Sequence, residues 1–481
     1  MSASREERSA PMSASREEEM GMQQLVERAL ALSTADECIV IGEERTEANL
    51  RWAGNNLTTN GQLSTRKLVV IAIRHDEAGP AVGVVSRPVT LAGAETELPA
   101  LVRAAEAAAA QAGPADDAAP LIEPDDRDLD WDSPPTRTSI GVFGGFAAAL
   151  GTAFDAAREQ DMLLYGFAEH IVSSMFLATS TGLRRRYDQP TGRVELNAKS
   201  ADLARTAWTG CHTRDFADVE VAALVADLRR RLDWARTRID LPAGRYETLL
   251  PPTAVADLMV YLYWTASARD ADEGRSVFSA RGGGDRIGER LSPLPLTLRS
   301  DPNWPGLEAP DFQLTPNSGD ESVFDNGAVA SSTDWIKAGE LHSLYRSRSW
   351  AARRGGEHQP MIDNLILSSP EGSKSLDELI ATTERGLLVT CLWYIRTVDP
   401  QTLLLTGLTR DGVYLIEGGQ VQGVVNNFRF NESPVDLLGR VSEVGQSVPT
   451  LPREWSDFFT RAEMPALRIP DFNMSTVSQA S

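Results

Sequence analysis

The sequence predicts an α+β fold, with small mixed α/β units at the N-terminus followed by a β-rich antiparallel C-terminal domain. Three observations predict it. Apolar residues recur at helical spacing in two N-terminal stretches: Leu25, Val26, Ala29 and Leu30 in one, and Val221, Leu224, Val225, Leu228 and Leu232 in the other. β-Branched runs such as KLVVIAIR at 67–74 lie between them and read as strands. Beyond residue 400, short strand-like runs at 402–409, 413–417 and 420–430 are separated by Asp411-Gly412 and Gly418-Gly419, which signal hairpins and an antiparallel meander.

Taken in order, residues 1–21 form a polar tail in which MSASREE occurs twice, at 1–7 and 12–18. Such a segment has too little apolar surface to fold, so it is expected to be disordered. Residues 22–112 form an N-terminal α+β domain: a helix from Met22, strands at 37–42, 67–74 and 81–89, and an Ala-rich helix at 98–110. Pro and Asp then dominate 113–136, which reads as a linker or exposed crossover. A central α+β domain covers 137–240, with a small-residue helix at 146–159, strands at 163–179 and 193–199, and a helix from about Ala217. The β-rich C-terminal domain covers 241–471, and 472–481 form a second tail.

Composition limits the function. A chain of 481 residues with 42% hydrophobic and 24% charged residues is ordinary globular protein of two or three domains. No apolar run approaches the ~20 residues of a membrane helix, and the polar N-terminus has no secretory h-region. Cys38, Cys211 and Cys391 are too scattered for a disulfide framework, so a reducing, cytoplasmic location is expected. A net charge of −21 repels polyanions, so Arg184-Arg185-Arg186 and Arg229-Arg230-Arg231 read as solvated basic faces and no nucleic-acid partner is expected.

No catalytic centre shows itself in the residues. There is no P-loop, no G-x-S-x-G elbow and no H-E-x-x-H, and Gly282-Gly283-Gly284 reads as a flexible loop. Cys391 lies in the apolar run LLVTCLWYI and reads as a buried, inert thiol. Glu169-His170 and Cys211-His212 are neighbours on strands, where adjacent side chains point to opposite faces, so neither pair makes a site.

An ordered series of motifs in the C-terminal domain resembles the TldD/PmbA family. It comprises RYETLL (245–250), GRSVFS (274–279), Asp301-Pro302, FDNG (324–327), IKAGELHSLYRSRSWAARRG (336–355), SLDELI (375–380), RGLLVT (385–390) and GQSVP (445–449). LRWAGNNLTTNG (50–61) and STG (180–182) fit the N-terminal part. The resemblance implies pairing with a related chain, TldD with TldE (PmbA), into a heterodimeric metallopeptidase that acts on short or unfolded peptides.

In the catalytic TldD branch, an H-E-x-x-x-H helix precedes the segment that GRSVFS resembles, and a cysteine near the C-terminus completes the metal site. Counted without gaps, the first slot falls on Met259-Val260-Tyr261-Leu262-Tyr263-Trp264 and the cysteine slot on about Val441. Met259, Val260, Trp264 and Val441 offer no lone pairs suited to zinc. The helix, expected at about 253–267, carries Val255, Leu258, Met259 and Leu262 as an apolar stripe and has no glycine. The resemblance therefore implies a TldE/PmbA-type subunit with no catalytic and no metal residues of its own. It also implies zinc in a TldD-like catalytic partner, with peptide substrate bound through its backbone, as when a strand adds to a sheet edge. Two alternatives remain at this level. One is an active metallohydrolase using His342 or His358 with a nearby carboxylate, and the other is a stand-alone homodimeric peptide-binding or scaffold protein.

Overall fold

The structure, a computed structural model, describes residues 20–90, 94–127, 130–317, 319 and 321–478. The expected disordered tail therefore lies almost wholly outside the described residues. The N-terminal half contains α1 (Met22–Leu32), β1 (Glu37–Ala53), β2 (Asn56–Asp76), β3 (Gly79–Pro88), α2 (Ala94–Gln111), α3 (Gly144–Glu159), β4 (Met162–Thr179), β5 (Arg184–Ser200), β6 (Thr206–Thr213) and α4 (Val221–Trp234). Its strands form one antiparallel sheet in the order β3-β2-β1-β4-β5-β6. Helices α1 and α2 pack on one part of it and α3 and α4 on another.

That single sheet corrects the division at 22–112 and 137–240. β1 pairs with β4 over fourteen residues, from Ile39↔Thr179 to Trp52↔Gly166, so the two predicted units share one ladder. The stretch 113–136 is likewise pinned in place. Leu121 is buried, Asp125 bridges Arg185 at 2.7 Å, and Arg127 reaches Asp311 at 2.8 Å. Arg229 is exposed as expected, but most of the two clusters is drawn into ion pairs: Arg184 with Glu27, Arg186 with Asp188, Arg230 with Asp227 and Asp377, and Arg231 with Asp227.

Contrary to the expectation that no apolar run approaches membrane length, one helical run, Ile140–Glu159, is long and apolar enough to cross a membrane by length and composition. Phe143, Phe146, Leu150 and Phe154 from it are buried against the sheet, in one cluster with Trp52, Leu164 and Leu196.

The C-terminal half contains β7 (Arg238–Ile239), β8 (Gly244–Leu250), α5 (Pro252–Trp264), α6 (Ala268–Asp272), β9 (Thr297–Ser300), β10 (Thr333–Lys337), β11 (Glu340–Leu341), α7 (Arg348–Arg354), β12 (Leu365–Ser368), α8 (Leu376–Ala381) and β13 (Arg385–Val389). It continues with β14 (Leu392–Asp399), β15 (Leu404–Thr409), β16 (Val413–Glu417), β17 (Gln420–Val425), β18 (Phe428–Glu432), α9 (Pro434–Leu438), β19 (Glu443–Val444), β20 (Val448–Thr450), β21 (Ala462–Met464) and β22 (Leu467–Val477). One sheet runs β11-β10-β9-β12-β21-β20 and the other β14-β15-β18-β22-β8-β13-β16-β17-β7, with β19 paired to β22.

The expected meander is only partly present. β16 and β17 form a hairpin through Gly418-Gly419, both at positive φ. The chain leaving β15 through Asp411-Gly412 instead moves across the sheet to pair β16 with β13. The predicted strand at 420–430 breaks at Asn426-Asn427 into β17 and β18, which have different neighbours. The predicted tail at 472–481 is also corrected. β22 runs to Val477 with Phe472 and Met474 buried, because their side chains complete the core.

Helix α5 sits in this core. Pro252 opens it, where a missing N–H costs nothing. Residues Ala254 to Val260, Leu262 and Tyr263 are all buried, in one cluster with Leu250, Leu298, Trp335, Leu387, Met464 and Phe472 from both sheets. Its one buried carboxylate, Asp257, accepts from the Glu454 N–H at 2.9 Å; the remaining buried positions are apolar or aromatic all round, as in a helix surrounded by protein.

Candidate functional site

The C-terminal end of α5 opens onto a cleft of about 630 Å³ between the two halves of the molecule. Its floor is the face of the N-terminal sheet not covered by helices. Strand alternation brings Glu43 and Arg45 of β1, Glu169, Ile171 and Ser173 of β4, and Gln189, Thr191 and Arg193 of β5 to this face. Its wall is aromatic: Tyr263 and Trp264 from α5, and Phe458 and Phe459 from the segment 456–461.

Trp264 meets Trp455 edge-on at 5.2 Å and Phe459 at 6.2 Å. Phe458 is 77% exposed. A smaller recess of about 220 Å³ lies beyond Trp264, sharing Tyr263, Glu321 and Met361 with the cleft and adding Arg269, Arg275 and Trp350.

The segment 456–461 is held across the cleft by the floor. Arg193 bridges Glu169 at 3.2 Å and Asp457 at 2.7 Å, and donates to the Ser456 hydroxyl at 3.0 Å. Arg461 donates to Thr191 at 3.0 Å and pairs with Asp363. Ser173 donates to Glu43 at 2.9 Å. Burial raises the Glu169 carboxyl above its ordinary range; the Arg193 charge opposes this and Glu47 adds to it. The result is a polar, ion-paired floor facing an aromatic wall.

The four slots predicted from the sequence divide. Met259 and Val260 are 0% exposed and Val441 is 2% exposed, all in the same core. Trp264 differs: at 37% exposure it lines the cleft instead of packing in the interior. As the last residue of α5, it points past the end of the core.

Among the described residues no group of three His, Cys, Asp or Glu side chains is placed to hold a metal ion. His342 is exposed and His358 half-buried beside Asp325 at 3.6 Å, and neither lines the cleft. His170 and Glu169 occupy opposite faces of β4; His170 is buried, bonding Thr138 and the Arg214 carbonyl at 2.7 Å each. The thiols are inert, since burial pushes Cys38 up to about 11 and both Cys211 and Cys391 up to about 12.

Burial, reinforced by the Arg348 charge, holds His358 down at about 4 from its usual 6.5. The folded state therefore favours the neutral ring. Its contribution to stability is complete above about pH 6.5 and is lost as pH falls toward 4. His358→Gln should flatten this acid limb in melts taken from pH 7 to pH 4.5. An unchanged limb would place the acid sensitivity elsewhere.

The comparisons agree with this architecture. Residues 243–476 match the profile of the PmbA/TldA metallopeptidase C-terminal domain. No curated protein sequence matches the chain. Among solved structures, TldE from Thermococcus kodakarensis superimposes with a TM-score of 0.75 at 16% identity, over 94% of this chain and 99% of that one. A putative modulator of a DNA gyrase from Thermotoga maritima MSB8 gives 0.72 at 16%, over 94% and 99%. A putative modulator of DNA gyrase from Bacteroides thetaiotaomicron VPI-5482 gives 0.72 at 13%, over 95% and 99%.

Fold and C-terminal domain together define a metallopeptidase-related α+β protein. Residues 243–476, just under half of the chain, form a C-terminal domain of the PmbA/TldA metallopeptidase family.

The floor residues Glu43, Arg45, Glu169 and Arg193 and the wall residue Phe458 were not found from sequence. The available signal was the alternation of charged residues in GEERTEANL at 42–50, with Glu43, Arg45 and Glu47 on every second position.

Proposed function

We propose that this chain is the non-catalytic, TldE/PmbA-type subunit of a cytoplasmic two-chain metallopeptidase. Zinc and hydrolysis reside in a TldD-like partner, and this chain presents short or unfolded peptides. The observation that carries the reading is the complete burial of Met259 and Val260 within α5. The helix that holds the metal in the catalytic branch is here a structural beam, and its exposed end, Trp264, forms part of a peptide-sized cleft. Peptide lies between floor and wall, contacting polar side chains below and aromatic rings above. His342 and His358 both lie outside the cleft, so a hydrolase built on either would not act where this reading places the peptide.

The test is co-purification of the tagged chain from its native cell. A chain of similar length bearing H-E-x-x-x-H should accompany it, and chelator-sensitive peptide cleavage should appear in that complex. Recovery of the chain with no such companion would overturn the reading.

The cleft makes a second expectation. Phe458→Ala should leave the melting temperature unchanged, because the ring is already 77% exposed. It should raise KM of the two-chain complex for peptide roughly tenfold, the loss of about one aromatic anchor. An unchanged KM would mean that peptide does not touch this wall.

A further inference from the structure

The lining of the cleft carries more negative than positive charge. Glu43, Glu169, Glu321, Asp363 and Asp457 face it, against Arg45, Arg193 and Arg461. All three arginines are already committed: Arg45 to Glu47 at 3.3 Å, Arg193 to Glu169 and Asp457, and Arg461 to Asp363. An anionic ligand would have to displace one of these pairs. Glu43 differs. It accepts a hydrogen bond from the Ser173 hydroxyl at 2.9 Å and has no cation beside it among the described residues.

Two buried amides add unused acceptors to the same lining. Gln189 is 8% exposed and Gln313 3%, and neither side-chain oxygen has a hydrogen-bond partner. The Gln189 Nε2 donates to the Pro190 and Glu308 carbonyls at 3.0 and 3.2 Å, and the Gln313 Nε2 to the Thr315 hydroxyl at 3.1 Å, so the idle group in each is the acceptor. Among the described lining residues the one idle buried donor, Arg193 Nε, already faces Glu169 at 3.2 Å. Unpaired buried acceptors are unfavourable, and ammonium and guanidinium groups supply donors alone.

The wall supplies the complementary surface. Elsewhere in the molecule arginines cover ring faces, as Arg51 does Phe167 at 4.7 Å and Arg453 does Trp208 at 4.6 Å. Among the described residues no cation lies over Tyr263, Trp264, Phe458 or Phe459, and Phe458 is 77% exposed. Ring faces attract ammonium and guanidinium groups. The aliphatic stems of lysine and arginine pack along such rings while the charged heads reach beyond them.

We infer that the cleft selects peptides bearing a lysine or arginine side chain, whose stem lies along the aromatic wall and whose head pairs with Glu43. The inference rests on the peptide-presenting role proposed above and adds the class of peptide.

The test is fluorescence anisotropy on the isolated chain at physiological ionic strength, with labelled peptides of one length that are lysine-rich, glutamate-rich or uncharged. The lysine-rich peptide should bind roughly tenfold more tightly than the glutamate-rich one. Glu43→Gln should remove most of that preference and leave binding of the uncharged peptide as it was. Its melting temperature should stay the same, because Ser173 can still donate to the amide oxygen. Glu371→Gln makes the same change in net charge at an exposed residue that does not line the cleft, and it should preserve the preference. Equal affinities for the three peptides would overturn the inference and leave the peptide-presenting role standing. An equal effect of Glu43→Gln and Glu371→Gln would also overturn it, by assigning the preference to the overall charge of −21. Binding of none of the peptides would overturn both the inference and the presenting role beneath it.

Discussion

Leu262→Ala and Met259→Ala are each expected to destabilise the fold by ~2–5 kcal/mol, the usual cost of truncating a fully buried side chain and leaving a cavity. Leu262 is 2% exposed and Met259 0%, within a core that joins both C-terminal sheets. Little else can move in to fill the space, because α5 touches protein on every side. Installing the catalytic pattern, Met259→His/Val260→Glu/Trp264→His, should not create a zinc site. Two of those positions bury polar groups in an apolar core, Val441 supplies no further ligand, and only Trp264 reaches the cleft. Thermal melts and a metal assay on one set of variants read both outcomes. A parent-like melt for Leu262→Ala, or tight zinc binding by the triple variant, would mean that α5 borders an open site.

Gly83→Val is expected to cost about 3 kcal/mol or more, through overpacking against a backbone that cannot yield locally. At Gly83 of β3 the sheet lies directly under α2. A Cβ there would sit 2.1 Å from the Ala105 carbonyl oxygen and 2.2 Å from the Ala109 nitrogen. Both contacts are helix backbone, so relief requires lifting the whole helix and exposing Leu101, Val102 and Ala105. Denaturant titration of the variant checks this, and a parent-like midpoint would show that α2 is not seated on the strand as described.

Local structure was legible where the signal is local. The apolar spacing of Leu25, Val26 and Ala29 marks α1, KLVVIAIR falls within β2, and the helix expected at 253–267 lies at Pro252–Trp264. Its burial was also legible, since an apolar helix without glycine has few uses outside a core.

Pairing was not legible. β1 finds β4 across more than a hundred residues, and nothing in either strand names the other, so one sheet was read as two units. The same limit turned a chain crossing at Asp411-Gly412 into a presumed hairpin. The cleft was missed for a related reason. Its floor comes from β1, β4 and β5 and its wall from 456–461, residues that no spacing rule brings together. Trp264 lies outside the apolar stripe of Val255, Leu258, Met259 and Leu262; the helix ends there, and its ring falls on the boundary between core and cleft.

The central claim is that this chain carries no hydrolytic centre of its own. Its most direct test is zinc content and peptide hydrolysis measured together on the isolated chain after dialysis. The account predicts no stoichiometric zinc and no cleavage until a TldD-like partner is added. About one zinc retained per chain, together with chelator-sensitive cleavage by the chain alone, would contradict it.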